Sequence, residues 1–370
     1  MENNKKKVGI VTFHTANNYG AVLQAYALQS YVERNLNCKA SIIDLHTSCH
    51  DKDNEIFKNK ASNKIKCLVK NTITLLHIKS LLHKKKAFEL FRSQYLHLTS
   101  HCYKTQHDFL YNIEEFDYYI SGSDQVFNPT INHSECYYLN FQIPVAGKKV
   151  AYAPSFGISS FTNDEVLKIK KYVEDFSALS CREKDGADFL SKLIGTIVPH
   201  VCDPVFLLNR EEWNKLAYPP KTKESFIFVY DLNGGHKLIE LAKKVSIAHN
   251  NIPIICATGH IFNVYRGVKS LYNVGPCELL GFIKNADFVV TDSFHGTALS
   301  LIMDVKVITY IAAEHTSSRI KSLLKRLCIE SQIVSNVESF NMDQIVFRSF
   351  KESMERYILE SKDFLSKALQ

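Results

Sequence analysis

The sequence predicts an α/β protein made of two doubly wound, Rossmann-like domains. Its 370 residues exceed what one typical hydrophobic core supports, which favours two domains. Short apolar runs typical of buried strands alternate with helical segments along most of the chain. Several of these runs end in polar turns, as expected of parallel sheets whose ligands bind beyond the carboxyl ends of the strands.

The first domain is predicted over residues 1–207 and opens on a βαβ unit. Its strands are expected at Lys7–Phe13, Ala40–Leu45, Phe116–Ile120, Val150–Pro154, Ala178–Cys181 and Val198–Cys202. Its helices are expected from Ala21 to about Arg34, from the capping box Thr162-x-x-Glu165 to about Phe176, and after Glu183. In the first turn, Asn17, Asn18 and Gly20 replace the glycine-rich fingerprint of a dinucleotide or P-loop site.

The second domain is predicted over residues 208–340, after a linker at Phe206–Glu224. Its strands are expected at Phe226–Asp231, Ile252–Ala257, Phe288–Thr291 and Val305–Ile311, and its helices at Gly235–Ala248, Cys277–Asn285, Thr297–Met303 and Ser318–Cys328. A terminal helix at Met342–Leu369, within residues 341–370, is expected to pack back across the first domain. Two such domains with a cleft between facing strand ends form a glycosyltransferase-B type arrangement, an analogy that does not specify chemistry.

Cysteine spacing and the distribution of apolar residues indicate the cellular compartment. The ten cysteines are too widely spaced for a CxxC metal or redox pair, and several lie in apolar segments, which favours a reducing compartment. The N-terminus runs directly into a strand, without the apolar core of a signal peptide. Because no apolar run is long enough to span a membrane, the sequence predicts a cytoplasmic protein.

The net charge of +7 is concentrated in an insertion of the first domain at about residues 56–104. Basic residues greatly outnumber the single acid, Glu89, and the apolar residues have helical spacing. Basic amphipathic helices suit an anionic surface, such as the inner face of the cell membrane or a pyrophosphate-linked substrate. A solvated helix with snorkelling lysines is the alternative, and a nucleic-acid partner is not expected because no recognised module accompanies the patch.

The most informative segment is Asp287–Met303, in which a buried strand breaks into a polar turn and then a helix. Free backbone N–H groups and the positive end of the helix dipole make such a turn a natural seat for phosphate or carboxylate. His295 lies in the turn, and histidine is the side chain best suited to proton transfer near neutral pH. The alternative is an N-capped connection with an incidental histidine.

The chain resembles the polysaccharide pyruvyl transferases over roughly residues 7–330. The resemblance rests on motifs in the family's order: NNYGAVLQAYAL, YYISGSDQVFNP, CREKDGADFL, Cys202-Asp203-Pro204, DSFHGTALSLI and Ser317-Ser318-Arg319-Ile320. The basic insertion and the terminal helix lie outside it. The resemblance implies transfer of pyruvate from phosphoenolpyruvate onto a sugar, as a ketal bridging two hydroxyls, with release of phosphate.

The resemblance also implies roles for individual residues, and it requires no cofactor or metal beyond phosphoenolpyruvate as co-substrate. His295 is the expected acid–base catalyst. Arginine recognises oxyanions best, so Arg182 and Arg319 are expected to hold the donor, with Ser293, Gly296 and Thr297 at the phosphate. Weaker candidates for the acceptor side are Asn17, Asn18, Tyr19 and Asp124.

Structural roles remain open for these residues. Arg182 is placed to pair with Glu183 or Asp185, and Arg319 begins a helix with other solvated cations. The acceptor is expected to be a sugar, carried on a lipid diphosphate if the insertion meets the membrane. Two rival functions share the predicted cleft: a nucleotide-sugar glycosyltransferase, and a glycan-binding protein that would tolerate loss of His295.

Overall fold

The computed structural model describes residues 5–46, 71–131, 134–141, 147–158, 160–312 and 318–370. Within these residues the strands form two six-stranded sheets, ordered β3-β2-β1-β4-β5-β6 and β12-β11-β10-β7-β8-β9. Each strand pairs in parallel with its neighbours. The sheets confirm the predicted α/β class with two doubly wound units and a cleft between them.

The first sheet contains the strands β1 Lys7–Val11, β2 Lys39–Leu45, β3 Leu98–Tyr103, β4 Tyr118–Ser121, β5 Lys148–Ala151 and β6 Ala178–Leu179. Its helices are α1 Tyr19–Asn35, α2 Ile78–Tyr95, α3 Gln106–Tyr111, α4 Ser134–Tyr137, α5 Asn163–Val173 and α6 Lys184–Ile194. The predicted capping box is present: Thr162 Oγ1 accepts from Glu165 N, and the Glu165 carboxylate accepts from Thr162 N. This box fixes where α5 begins.

Two expectations for the first sheet are wrong. The strand predicted at Val198–Cys202 is a single bridge between Cys181 and His200, because Pro199 has no N–H to continue a ladder. The insertion at 56–104 is not wholly helical, since β3 ends it and pairs with β2. Residues 56–70 of the insertion lie outside the described part of the chain.

The second sheet contains the strands β7 Ile227–Asp231, β8 Ile254–Thr258, β9 Lys269–Leu271, β10 Phe288–Thr291, β11 Lys306–Tyr310 and β12 Ile333–Val334. Around it lie α7 Arg210–Leu216, α8 His236–Ala248, α9 Pro276–Asn285, α10 Phe294–Ile302 and α11 Ser318–Arg326. The edge strands β9 and β12 were not predicted, because two or three residues are too few to show strand periodicity.

The segment predicted as an interdomain linker is largely ordered. It contains a 3₁₀ turn at Pro204–Leu207 and then α7, which begins at an Asn209/Glu212 capping box. Trp213 is fully buried, and its Nε1 donates to the Val205 carbonyl at 3.0 Å. One cluster of buried apolar side chains includes Val8 of the first sheet, Trp213 and Leu280 of the second half, so the two halves share a core.

The terminal helix, α12, covers Lys351–Ala368 and is shorter than the predicted Met342–Leu369. Ile345 and Phe347 lie before it and pack against the core of the second sheet, so the chain is not helical there. The helix itself contacts the first half: Ser361 Oγ accepts from Cys202 N at 2.8 Å, and Tyr357 donates to the Val201 carbonyl at 2.8 Å. Among the described residues, no helix combines the length and apolarity that crossing a membrane requires.

Candidate functional site

A cleft of about 970 Å³ lies between the carboxyl ends of the two sheets. Its walls carry the turn after β1, the turn after β4, the loop after β7 and the start of α10. The lining residues are Phe13, Ala16, Asn17, Asn18, Ala21, Asp124, Gln125, Asn128, Ile131, Leu232, Asn233, Asp292, Ser293, Phe294, His295, Tyr310, Ile311, Ala312, Arg319 and Ile320. The site is therefore built by both halves, as expected for an α/β cleft.

The turn after β10 begins its helix earlier than predicted. Ser293 is the N-cap, its Oγ accepts from Gly296 N at 3.3 Å, and α10 starts at Phe294 rather than near Thr297. His295 consequently lies in the first turn of the helix. Asp292 accepts hydrogen bonds from Leu232 N at 2.9 Å and Asn233 N at 3.1 Å, which ties the turn to the loop after β7.

His295 is held between the two halves. It is 7% exposed, and its Nε2 lies 3.4 Å from Asp203 Oδ2 without forming a hydrogen bond to any described residue. On its other side lies Gly20, at the start of α1. A Cβ built on Gly20 would lie 2.0 Å from His295 Nδ1, so a glycine is required for this close approach.

Asp203 is the centre of the site. Its Oδ2 accepts from Arg182 Nη1 at 2.5 Å and from Ser123 Oγ at 3.0 Å, and its Oδ1 accepts from Val205 N at 3.0 Å. Burial alone would raise the pKa of this carboxyl, but the charges of His295 and Arg182 hold the pKa well below its usual range. Asp203 is therefore a buried carboxylate facing His295.

The sequence reasoning missed the role of Asp203. In the sequence, Asp203-Pro204 contributes only to a motif of the family resemblance, directly after the predicted strand Val198–Cys202. A buried Asp after an apolar run is a signal for a functional carboxylate, but its partners at residues 123, 182 and 295 are distant along the chain. The cleft-lining residues Gln125, Asn128, Asn233 and Tyr310 were also missed.

Arg182 is almost fully buried behind the cleft, at 3% exposure. Its partners are Asp203 and, at 3.6 Å from Nη2, Asp124, while its guanidinium carbon lies 4.7 Å from the centre of the Phe294 ring. Burial opposes the charged form, but these carboxylates leave the pKa of Arg182 raised. Its Nε and Nη2 make no hydrogen bond to the described residues, so two nitrogens of the guanidinium are free to donate to a ligand.

The alternative partners of Arg182 do not hold it. The carboxylate of Glu183 instead accepts from the Ser155 hydroxyl and, at 3.4 Å, from Gly157 N. The buried cation is therefore part of the Asp203 cluster rather than of a surface ion pair.

Arg319 lines the cleft in the first turn of α11. Burial and the neighbouring charge of Arg182 lower its pKa, whereas Asp124 and Glu183 act in the opposite direction. Arg319 forms no hydrogen bond or ion pair with another residue in the described part of the chain. Two close guanidinium groups with unused donors are suited to a doubly charged anion.

Asp124 lines the cleft with a strained backbone, at φ 73° and ψ −172°. Residues other than glycine rarely adopt backbone angles in this region of positive φ, and such strain is typical of functional sites. The conformation is held by Asp124 Oδ1, which accepts from Gln125 N at 2.9 Å, and by pairing of the backbone with Pro154.

The remaining predicted residues have mainly structural contacts. Asn17 accepts from Arg92 at 3.1 Å, and Asn18 caps α1 by accepting from Ala21 N at 3.3 Å; both line the cleft. Tyr19 is buried outside the main cleft and donates to the Val274 carbonyl at 2.7 Å.

Two residues predicted at the phosphate also lie behind the cleft surface. Thr297 Oγ1 is buried and hydrogen-bonds to the Ser293 carbonyl and to Thr309 Oγ1. Gly296 packs closely against Thr291 and Tyr230. Their roles at a phosphate stay predictions, and in the structure they shape and cap the helix start.

A group of possible metal ligands lies at the ends of β2 and β3. One ligand atom from each of Asp44, His46 and Cys102 lies within 4.8 Å of the others. Asp44 Oδ1 is 3.0 Å from Nε2 of both His14 and His46, so hydrogen bonds already satisfy this carboxylate. None of Asp44, His46 and Cys102 lines the cleft.

Solved structures similar in shape include UDP-GlcNAc 2-epimerases and a glycosyltransferase. They include a UDP-GlcNAc 2-epimerase from Methanocaldococcus jannaschii (TM-score 0.48, 15% identity, covering 96% of this chain and 99% of that one). A second is a UDP-GlcNAc 2-epimerase from Neisseria meningitidis (TM-score 0.44, 9% identity, 99% and 94%). A third is the glycosyltransferase SnogD from Streptomyces nogalater (TM-score 0.40, 11% identity, 98% and 96%). At these values the likeness says nothing about chemistry.

The sequence comparison is decisive for the family. No curated protein matches the chain. The family model for polysaccharide pyruvyl transferase matches residues 18–313, which include the strained Asp124 turn, the buried Arg182–Asp203 pair and the His295 helix start. Because the match covers most of the sequence, the chain belongs to the polysaccharide pyruvyl transferase family.

Proposed function

We propose that this protein transfers the pyruvyl group of phosphoenolpyruvate onto a sugar of a cell-surface polysaccharide precursor, as a ketal, and releases phosphate. The observation that carries the proposal is the buried Asp203 carboxylate, which contacts Arg182 behind the cleft and faces His295, a residue that lines it. This arrangement supplies a fixed cation and a proton-transfer group side by side, beside the cleft-lining Arg319.

The donor brings a carboxylate and a phosphate, and both require cationic or N–H partners. Arg182 and Arg319 have donors that no described residue uses, and their mutual repulsion favours binding of an anion between them. The first turn of α10 adds N–H groups and the positive end of the helix dipole. These groups bind the donor and stabilise the phosphate as its bond to carbon breaks.

Proton transfer is assigned to His295. As imidazolium it donates a proton to the methylene carbon of phosphoenolpyruvate, and the electron pair of the double bond forms the new C–H bond. The adjacent carbon becomes electrophilic, and one sugar hydroxyl adds to it and loses its proton to the imidazole. The second hydroxyl displaces phosphate, and its proton passes to the departing phosphate oxygen, so the cyclic pyruvate ketal and inorganic phosphate are the products. The Asp203 carboxylate stabilises the imidazolium at 3.4 Å.

The acceptor lies on the side of the first sheet in this proposal. Asp124, Asn17 and Asn18 line that wall, and Asp124 is held in a strained geometry that aims it at the cleft. A sugar diol offers hydroxyl donors that a carboxylate accepts well. Asp124 therefore orients the attacking hydroxyls.

The test measures phosphate release from phosphoenolpyruvate, with and without a sugar acceptor, and detects the ketal by mass spectrometry. His295→Ala abolishes acceptor-dependent release, whereas the matched variant His107→Ala, at an exposed position of α3, retains it. Binding of phosphoenolpyruvate is measured separately by calorimetry. Turnover of a nucleotide sugar without phosphoenolpyruvate, or glycan binding without turnover in either protein, would contradict the proposal.

The described part of the basic insertion supports contact with an anionic membrane surface. Leu75 and Leu76, in helical residues 71–76, are exposed by 58% and 78%, and Leu82 of α2 is exposed by 50%. The exposed Lys79 and Lys86 lie on α2. Apolar side chains beside lysines bind anionic lipid by burial and charge together. This would place a lipid-diphosphate-linked acceptor near the cleft, at the inner face of the cell membrane.

Vesicle flotation tests the membrane contact. The wild-type protein floats with anionic vesicles, and Leu76→Ser/Leu82→Ser does not. Leu167→Ser, which changes an exposed leucine on α5, floats like the wild type. Equal flotation with neutral and anionic vesicles, or unchanged flotation of the double variant, counts against a lipid surface.

A further inference from the structure

A second cationic position lies in a side chamber of the cleft. The chamber has a volume of about 100 Å³ and shares Asn17, Asn18 and Leu232 with the main cleft. Its other walls come from α1, α2 and the carboxyl ends of β7 and β8. They are Tyr19, Lys84, Tyr230, Asp231, Ala257, Thr258 and Gly259.

Lys84 is the cation of this chamber. It extends from α2, within the basic insertion, and its Nζ lies 4.9 Å from the centre of the Tyr19 ring. Among the residues that the structure describes, Lys84 has no hydrogen-bond or ion-pair partner. Burial lowers its pKa to about 8, and no carboxylate contributes to that pKa. Lys84 is only partly exposed to solvent, so its ammonium loses part of its hydration without gaining a counter-ion, and binding of an anion offsets that loss.

The carboxylate of the chamber, Asp231, already has hydrogen-bond donors. Asp231 accepts from Thr258 Oγ1 at 2.9 Å, from Tyr265 OH at 3.0 Å and from Gly234 N at 2.7 Å. Three donors therefore stabilise this carboxylate without Lys84. On the opposite side there is space: a Cβ built on Gly259 would meet only Lys84 Nζ, at 3.9 Å. About three water volumes fit in the chamber, which is enough for a phosphoryl group.

We infer that the Lys84 chamber binds a phosphate group of the acceptor, a diphosphate-linked sugar, while Arg182 and Arg319 hold the donor. This assignment rests on the proposed transferase function. Two separate cationic positions in one cleft match two separate phosphorylated substrates. The shared residues Asn17, Asn18 and Leu232 lie between the chamber and the main cleft, so a sugar attached to the bound phosphate extends toward His295.

The first test measures binding of inorganic pyrophosphate and, separately, of phosphoenolpyruvate by calorimetry, with no turnover required. Lys84→Met weakens pyrophosphate binding by roughly 10-fold to 100-fold, as expected for loss of a charge-assisted contact, and leaves phosphoenolpyruvate binding unchanged. The control Lys170→Met, an exposed lysine of α5 to which no binding role is assigned, leaves both unchanged. Unchanged pyrophosphate binding in Lys84→Met, or equal weakening of both ligands, overturns the assignment.

A second variant guards against misfolding. Gly259→Asp places a carboxylate in the open space beside Lys84, where it occupies the phosphate position. Its thermal unfolding temperature stays at or above that of the wild type, while pyrophosphate binding is lost. Retained pyrophosphate binding in Gly259→Asp overturns the assignment.

Kinetics separate this inference from the function on which it rests. If the transferase is active, Lys84→Met raises the KM for a diphosphate-linked acceptor and not for phosphoenolpyruvate. An active enzyme whose acceptor KM is insensitive to Lys84→Met contradicts the chamber and leaves the transferase intact. A protein that binds pyrophosphate through Lys84 but releases no phosphate from phosphoenolpyruvate contradicts the transferase instead.

Discussion

Replacing Asp203 by Asn is the most informative change to the site. The variant keeps the size of the side chain but removes the negative charge that faces both His295 and Arg182. Across the 3.4 Å between Asp203 and His295 Nε2, a pair of unit charges attracts by about 5 kcal/mol at an effective dielectric constant near 20. Because the positive charge of Arg182 already neutralises part of the carboxylate charge, the net attraction that His295 experiences is smaller than this value.

The expected loss of activity follows from this attraction. If about 3 to 4 kcal/mol of it supports the imidazolium in the transition state, the kcat of Asp203→Asn falls by roughly 10²-fold to 10³-fold. The assay is acceptor-dependent phosphate release. The matched control Asp188→Asn, which changes a half-exposed carboxylate of α6, keeps wild-type kcat. A folded Asp203→Asn with kcat within about threefold of the wild type would refute the role of the carboxylate.

Stability gives an independent check on the same variant. Loss of one partner of a buried ion pair destabilises by about 3 to 5 kcal/mol, and urea unfolding at pH 7 measures this difference. The folded-state pKa of Asp203 lies below the ordinary 3.8, so its contribution is fully present above that pH and is lost as pH falls further. The stability gap between wild type and variant therefore narrows below about pH 4. A gap that does not change between pH 7 and pH 3 would contradict the depressed pKa.

Substitutions at three further positions test the candidate site. Gly20→Ala places a Cβ 2.0 Å from His295 Nδ1, so the imidazole must move. We expect kcat, measured by phosphate release, to fall roughly tenfold or more. A variant with wild-type kcat would contradict the close packing of Gly20 on His295. Arg319→Gln raises the Kd of phosphoenolpyruvate by roughly 10-fold to 100-fold in calorimetry, whereas the control Arg326→Gln, in the last turn of the same helix, does not. Asp124→Gly and Asp124→Ala both remove the carboxylate, but only glycine adopts φ 73° without strain. We therefore expect the free energy of unfolding in urea to be about 1 kcal/mol higher for Asp124→Gly than for Asp124→Ala. Equal free energies of unfolding would argue against strain at this position.

Local patterns determined much of the fold from the sequence. The Thr162/Glu165 capping box, the alternation of apolar runs and helices, and the turn before α10 depend on residues within a few positions of one another. The sequence therefore predicted two parallel α/β units and placed His295 at a helix start. It placed that start too late, at Thr297, because an N-cap in the turn was only the alternative interpretation; Ser293 is the N-cap, and the helix begins at Phe294.

Tertiary structure alone decided the composition of the site. Asp203, Ser123 and Arg182 converge because β4 and β6 flank β5 in the first sheet and the bridge at His200 brings the following turn alongside. The order of strands in the sheet determines which of these residues meet, and their spacing along the chain does not predict it.

The short edge strands and the late start of α12 have the same origin. β9 and β12 are stabilised by pairing with a neighbour rather than by their own pattern. Residues 345–350 lie outside any helix because Ile345 and Phe347 pack on the second core while α12 packs on the first half. The sequence thus placed His295 in the polar turn that follows β10. Only the packing of the two halves decided that Asp203 and Gly20 confine the histidine, and that Lys84 lines a side chamber without an ion-pair partner among the described residues.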